Sequence, residues 1–144
     1  MSQDNTLRVI LPGKLIDGIA DQAQEGMAVA IQGSSIKWVG PTSEAASLST
    51  NGADREILEF TQGTLLAGMF DIHTHTNMPG DGRTGEQVNK DDNDEIRLLR
   101  SAQNAAAAIA SGVTTMCDCG SWNRNGFALK EGLAEGIVEG PRVL

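Results

Sequence analysis

Two histidines occur in this 144-residue chain, and both lie in the segment Asp71-Ile72-His73-Thr74-His75. Residues two apart on a strand project to one side. Two imidazoles converging in this way suit a borderline divalent cation such as Zn²⁺. A bare pair of histidines in a turn more often bonds locally than holds a metal. What favours ligation is the run that precedes the pair. Thr64-Leu65-Leu66-Ala67-Gly68-Met69-Phe70-Asp71-Ile72 is nearly all apolar, as expected of a strand buried on both faces. The pair would then sit at the carboxyl end of that strand, the end that carries active sites in α/β barrels.

Two carboxylates are candidate supports for the ligands. Asp71 shares a face with His73 by strand period and would stand one layer below it, where it could equally satisfy backbone groups. Asp118 closes a second strand and would support the site or cap a helix. Cys117 and Cys119, one residue apart, are read as reduced thiols on one face of that strand, because a bridge so close would be strained. Small apolar packing is the plainer role for both, soft-metal ligation the sharper one. Arg83, in the long loop, could meet an anionic substrate, but a solvated loop charge is the plainer reading. Gly80-Asp81-Gly82 is a turn, since it lacks the Lys and the following helix of a phosphate cradle.

The elements that must position these residues change character along the chain. Before about Gly63 the sequence reads as short strands and turns. Leu7–Leu11 is closed by Pro12-Gly13, and Leu15-Ile16 meets Asp17-Gly18. Met27–Ile31 and Ile36–Val39 flank Gly33-Ser34 as a hairpin. One helical turn is expected within residues 43–49, and Glu56–Phe60 alternates as a strand. These pieces suggest a small β-sandwich over residues 1–62. After the histidines comes a long polar loop, Asn77 to Asn93. A helix from about Asp94 to Ser111 follows, capped by Asp92, Asn93 or Asp94 and ended by Gly112. Its apolar stripe is Ile96, Leu99, Ala102, Ala106 and Ile109. Val113–Cys117 is a second buried strand, Gly126–Glu135 a second helix, and Arg142-Val143-Leu144 opens a third strand. Strand, helix, strand, helix, strand is the order of a parallel α/β sheet.

Composition excludes several classes. Hydrophobic residues are 40% and charged residues 21%, a globular balance. A net charge of -8 disfavours nucleic acid as a partner. No apolar run is long enough to span a membrane, and the amino terminus lacks the pattern of a signal peptide, so the cytoplasm is the expected compartment. A nucleotide-binding doubly wound domain would need a glycine-rich turn where His73-Thr74-His75 stands.

Three segments then carry a family resemblance. Ala67-Gly68-Met69-Phe70-Asp71-Ile72-His73-Thr74-His75 resembles the P-G-h-h-D-x-H-x-H motif of the amidohydrolase superfamily, h being apolar, with Ala67 where Pro is usual. Gly112-Val113-Thr114-Thr115-Met116-Cys117-Asp118 resembles that family's second-strand block. Gly140-Pro141-Arg142-Val143-Leu144 resembles the start of the third strand in its imidazolonepropionase-like and Xaa-Pro dipeptidase-like branch.

The resemblance implies a small β-sandwich, residues 1–62 being part of a composite domain. It is followed by the first βαβα units of a (β/α)8 TIM-like barrel over residues 63–144. It implies one or two divalent metals, zinc foremost, with His73 and His75 as ligands of the more buried ion. A carboxylated Lys or Glu, two further His and a general-base Asp would come from later strands. The implied chemistry is hydrolysis of an amide or cyclic amide C–N bond by metal-activated water. The implied partners are a small-molecule substrate and the remainder of the barrel, and a homo-oligomer is compatible. On this reading the chain is an amino-terminal fragment, inactive alone, with no catalytic residue of its own beyond the ligands. The competing expectation is a short metal-binding or interaction protein derived from a half-barrel.

Overall fold

The computed structural model describes residues 5–144. The chain divides into two compact units, Met1–Ala67 and Gly68–Leu144.

The first unit is one four-stranded sheet in the order β3-β2-β1-β4. Its strands are β1 (Leu7–Ile16), β2 (Met27–Gln32), β3 (Ser35–Pro41) and β4 (Arg55–Leu66), with a four-residue helix α1 (Thr42–Ala45) after β3. β2 and β3 form the expected hairpin around Gly33, whose φ of 57° supplies the left-handed turn. Leu7 and Val9 of β1 and Ala28 and Ala30 of β2 share a buried face with Ala45, and Leu11, Trp38 and Leu48 pack against it. Among the described residues the unit has a single sheet; the expected composite sandwich would need a second layer beside it.

Pro12-Gly13 does not end β1. The strand runs on to Ile16 through a register irregularity between Pro12 and Lys14. Proline is tolerated because β2 pairs only as far as Ile10, so the missing N–H of Pro12 costs no bond on that side. A Cβ at Gly13 would lie 2.3 Å from the carbonyl oxygen of Thr61, so the bulge needs glycine.

The second unit is a parallel sheet in the order β5-β6-β7, as the alternation of elements led us to expect. It consists of β5 (Met69–Thr74), α2 (Gly85–Asp91), α3 (Asp94–Ala110), β6 (Val113–Asp118), α4 (Asn125–Ala134) and β7 (Arg142–Val143). Its core is Ala105 of α3, Met116 of β6, Leu129 of α4 and Val143 of β7, flanked by Leu98, Ala108, Val113, Leu133 and Val138. A Cβ at Gly140 would come within 2.8 Å of the Ala105 Cβ, so the turn before β7 is packed directly on α3.

Three expectations are corrected. The apolar run Thr64–Ile72 is two strands, broken at Ala67-Gly68: residues 64–66 pair with β1, and only residues from Met69 onward pair with β6. Nor is β5 buried on both faces. It is an edge strand, with Phe70 70% and Ile72 78% exposed. Finally, α3 starts at its Asn93 cap as expected, with the side chain accepting from Ile96 N–H, but it buries a different stripe. Arg97, Ser101 and Ala105 are covered, whereas Ile96, Leu99 and Ile109 are exposed. Apolar periodicity misses this because the buried stripe is largely polar and is held by hydrogen bonds. No helix among the described residues is long and apolar enough to cross a membrane.

Candidate metal centre

His73 occupies the last turn of pleat in β5, and His75 follows the strand's end at Thr74. Both are exposed, and their ring centroids are 5.5 Å apart, tilted by 41°. An ion about 2.0–2.1 Å from one nitrogen of each ring lies about 3.2 Å from each ring centre; a tetrahedral angle at the ion then places the centroids about 5 Å apart. The observed 5.5 Å is close to that value. Among the described residues no cluster of three or more His, Cys, Asp or Glu side chains forms a metal site, so the pair supplies two donors without a third.

The surroundings fix His75 more firmly than its exposure suggests. A Cβ built on Gly120 would fall 2.0 Å from His75 Nδ1 and 2.2 Å from its Cε1. The imidazole therefore lies where any side chain at position 120 would have to be. On the backbone side, the His75 carbonyl accepts from Met78 N–H at 3.0 Å, closing a turn. Asn104 on α3 donates from Nδ2 to the carbonyls of Thr76 (2.7 Å) and Met78 (2.9 Å), pinning that turn to the helix. Thr76 and Asn77 are buried.

Asp118 ends β6 and acts on this same turn. Its carboxylate accepts from Thr76 Oγ1 at 2.6 Å, from Gly120 N–H at 3.2 Å and from the Ser121 hydroxyl. Burial pulls its pKa upward, but the hydrogen bonds from Ser121, Thr76 and Gly120 outweigh that, and the carboxyl is held below its ordinary value. Asp118 thus stays ionised and ties the residue after His75 to the β6–α4 loop.

Asp71 accepts from the backbone N–H of His73 at 3.2 Å. A register irregularity between Asp71 and Thr74 breaks the alternation on which a shared face with His73 rested. Asp71 instead lines a cleft of about 330 Å³ with His75, Asn104, Ala108 and Met116.

The polar stretch from Asn77 to Asn93 is not the bare loop expected. It holds α2, opened by a capping box in which Thr84 and Gln87 bond reciprocally, and Val88 is fully buried. Arg97 on α3, 4% exposed, donates to Asp94, to the carbonyl and side chain of Asn89 and to the carbonyl of Asp92, and stacks over Trp122 at 5.7 Å. Asp92 also takes Arg100 at 2.7 Å and Arg83 at 3.2 Å, so Arg83 is paired and not a free loop charge. Positions 97, 100 and 104 are spaced by helical period, and together they clamp the whole segment after the histidines onto α3.

Sequence reasoning located the histidines and both aspartates. It missed Asn104, Gly120, Thr76 and Ser121, which hold the turn. Asn104 reaches the turn from 26 and 28 residues away, and Thr76 meets Asp118 and Ser121 from 42 and 45, so no local pattern announces them.

No family model and no curated protein matches the chain. Solved structures do. A Xaa-Pro dipeptidase with bound methionine in the active site matches with a TM-score of 0.79 at 25% identity, over 96% of this chain and 32% of that one. The A. niger ochratoxinase matches at 0.79 and 19% identity, over 97% and 31%, and a molinate hydrolase at 0.72 and 22%, over 98% and 30%. The chain therefore spans about a third of the length of these hydrolases. Its fold is that of the amino-terminal part of the amidohydrolase superfamily, the family whose motifs its sequence carries.

Proposed function

We propose that this chain is the amino-terminal part of a metal-dependent hydrolase that cleaves an amide or cyclic amide C–N bond, with His73 and His75 as the first two ligands of a divalent metal, zinc foremost. The observation that carries this reading is the imidazole pair at the end of β5, with centroids 5.5 Å apart, close to the separation that one shared ion requires. Nitrogen donors from neutral imidazoles fit zinc chemically. A bound divalent metal would polarise the substrate carbonyl and bring the pKa of water to about 7.

The chain's own residues hold and orient. Gly120 leaves the space that the His75 ring fills. Asp71 fixes the His73 backbone, and Asn104 and Asp118 fix the turn that follows. On this reading, β5, β6 and β7 are the first three strands of a (β/α)8 barrel, the second unit, Gly68–Leu144, forming its amino-terminal part. Residues 1–62 are part of a composite β-sandwich. The remaining ligands and the general base belong to later strands, the substrate is a small molecule, and the setting is cytoplasmic.

Complementation tests the reading. The chain is mixed with the separately produced later strands of its barrel, and dipeptide and amide hydrolysis is followed by mass spectrometry. Zinc-dependent turnover is expected only with both parts, and it is lost in His73→Ala or His75→Ala. Turnover indifferent to chelator and to both substitutions overturns the proposal.

A further inference from the structure

The chain's two cysteines lie outside the arrangement described so far. Cys117 is on β6 and Cys119 just past its end, so strand period turns both to one side. Their sulfurs are 3.8 Å apart and both thiols are free. Two thiolates bound to one tetrahedral ion at about 2.3 Å each lie about 3.8 Å apart. Cys119 is exposed and Cys117 half-buried, so an ion can reach them.

From this geometry we propose that Cys117 and Cys119 form a chelating dithiolate site for a soft cation of the zinc and cadmium class, separate from the histidine pair. The carbonyl oxygens of Ile72 and Cys117 lie 3.9 and 3.7 Å from Cys119 Sγ. Among the described residues no third His, Cys, Asp or Glu joins the two thiols in a metal cluster, so water completes the coordination. The same fact keeps the two thiols and the two imidazoles from forming one cluster, although the Cys119 N–H donates to the carbonyl of Thr74, between His73 and His75, at 2.8 Å. Each thiol gives up its proton as its sulfur bonds to the ion, so two protons are released per ion.

The test is a cadmium titration of the reduced chain, followed by thiolate-to-metal charge transfer in the near ultraviolet and by proton release to a pH indicator. One cadmium per chain, with two protons released, is expected. Cys117→Ser or Cys119→Ser alone weakens binding by about tenfold or more, because the chelate becomes a single sulfur, and the double substitution abolishes the band. The double variant His73→Ala/His75→Ala keeps it. Far-ultraviolet circular dichroism confirms that each variant is folded. The proposal is overturned by the absence of a thiolate band in the reduced chain or by single-cysteine variants that bind as tightly as the parent. It is equally overturned by one cadmium shared between two chains, or by loss of the band with the histidines.

Discussion

Substituting Gly120 by Ala probes how the fold aims His75. The new Cβ would sit 2.0 Å from Nδ1, 2.2 Å from Cε1 and 3.2 Å from Cγ of that ring, and its three nearest atoms all belong to His75. Ordinary contact between heavy atoms begins at about 3.5 Å, so the imidazole must retreat by about 1.5 Å. That displacement is comparable to a metal–nitrogen bond of about 2.0–2.1 Å, so the two rings no longer address one point. Gly120 is not among the glycines with positive φ, so alanine brings no backbone strain of that kind. Because His75 is exposed, its ring can swing into solvent, and the fold loses only about 1 kcal/mol. Zinc affinity should fall by about 10–100-fold, the range seen when groups that orient ligands are removed.

The assay is a zinc titration read by proton NMR of the imidazoles, in the Cys117→Ser/Cys119→Ser background so that only histidines respond. Two histidines give two sets of ring signals, assigned with His73→Ala. A Gly120→Ala chain with the parent's titration midpoint would refute the steric argument. So would a loss of affinity that merely follows a large drop in melting temperature.

Further outcomes follow from the same contacts. Asn104→Ala removes both bonds to the Thr76–Met78 turn, and hydrogen exchange of residues 75–78 should speed up with α3 otherwise intact; unchanged exchange would show that the turn is held elsewhere. Asp118 has its pKa lowered in the fold, so its stabilising contribution is present above the unfolded value of 3.8 and is lost as pH falls through the lower folded value. Thermal melts of Asp118→Asn should therefore be lower than the parent's at neutral pH and converge with them in strong acid, whereas parallel curves would count against the linkage. Leu129 is 1% exposed in the core of the second unit, and Leu129→Ala should cost about 2–5 kcal/mol in urea unfolding, against under about 0.5 kcal/mol for a polar substitution of the exposed Leu99. The bare edge and apolar side chains of β5 should promote association. Phe70→Lys or Ile72→Lys should shift sedimentation toward the monomer, and an unaltered profile would exclude β5 as the contact.

Much of the second unit was legible in the sequence because its signals are local. The Asn93 cap, Gly112 with φ of 94° and the β-branched run of β6 fix the ends and type of their elements. The α2 capping box Thr84-x-x-Gln87 was equally visible, yet it was hidden within a segment judged by its polarity. What the sequence could not convey is competition between tertiary partners. Residues 64–66 are as apolar as those of β5, and only pairing with β1 assigns them to the other sheet. On α3, Arg97 and Ser101 are buried because the segment after the histidines supplies their hydrogen-bond partners. A stripe drawn from apolar residues alone cannot foresee that. The site divides in the same way. His73 and His75 are recognisable from spacing, whereas Gly120 and Asn104 matter through what they touch.

The central claim is that His73 and His75 bind one divalent ion together. Zinc K-edge X-ray absorption of the Cys117→Ser/Cys119→Ser chain, loaded below one equivalent of zinc, tests it most directly. The account predicts two imidazole nitrogens at about 2.0–2.1 Å, with oxygen from water completing the shell, and loss of imidazole scattering when both histidines are replaced by alanine. A spectrum with one imidazole or none would contradict it.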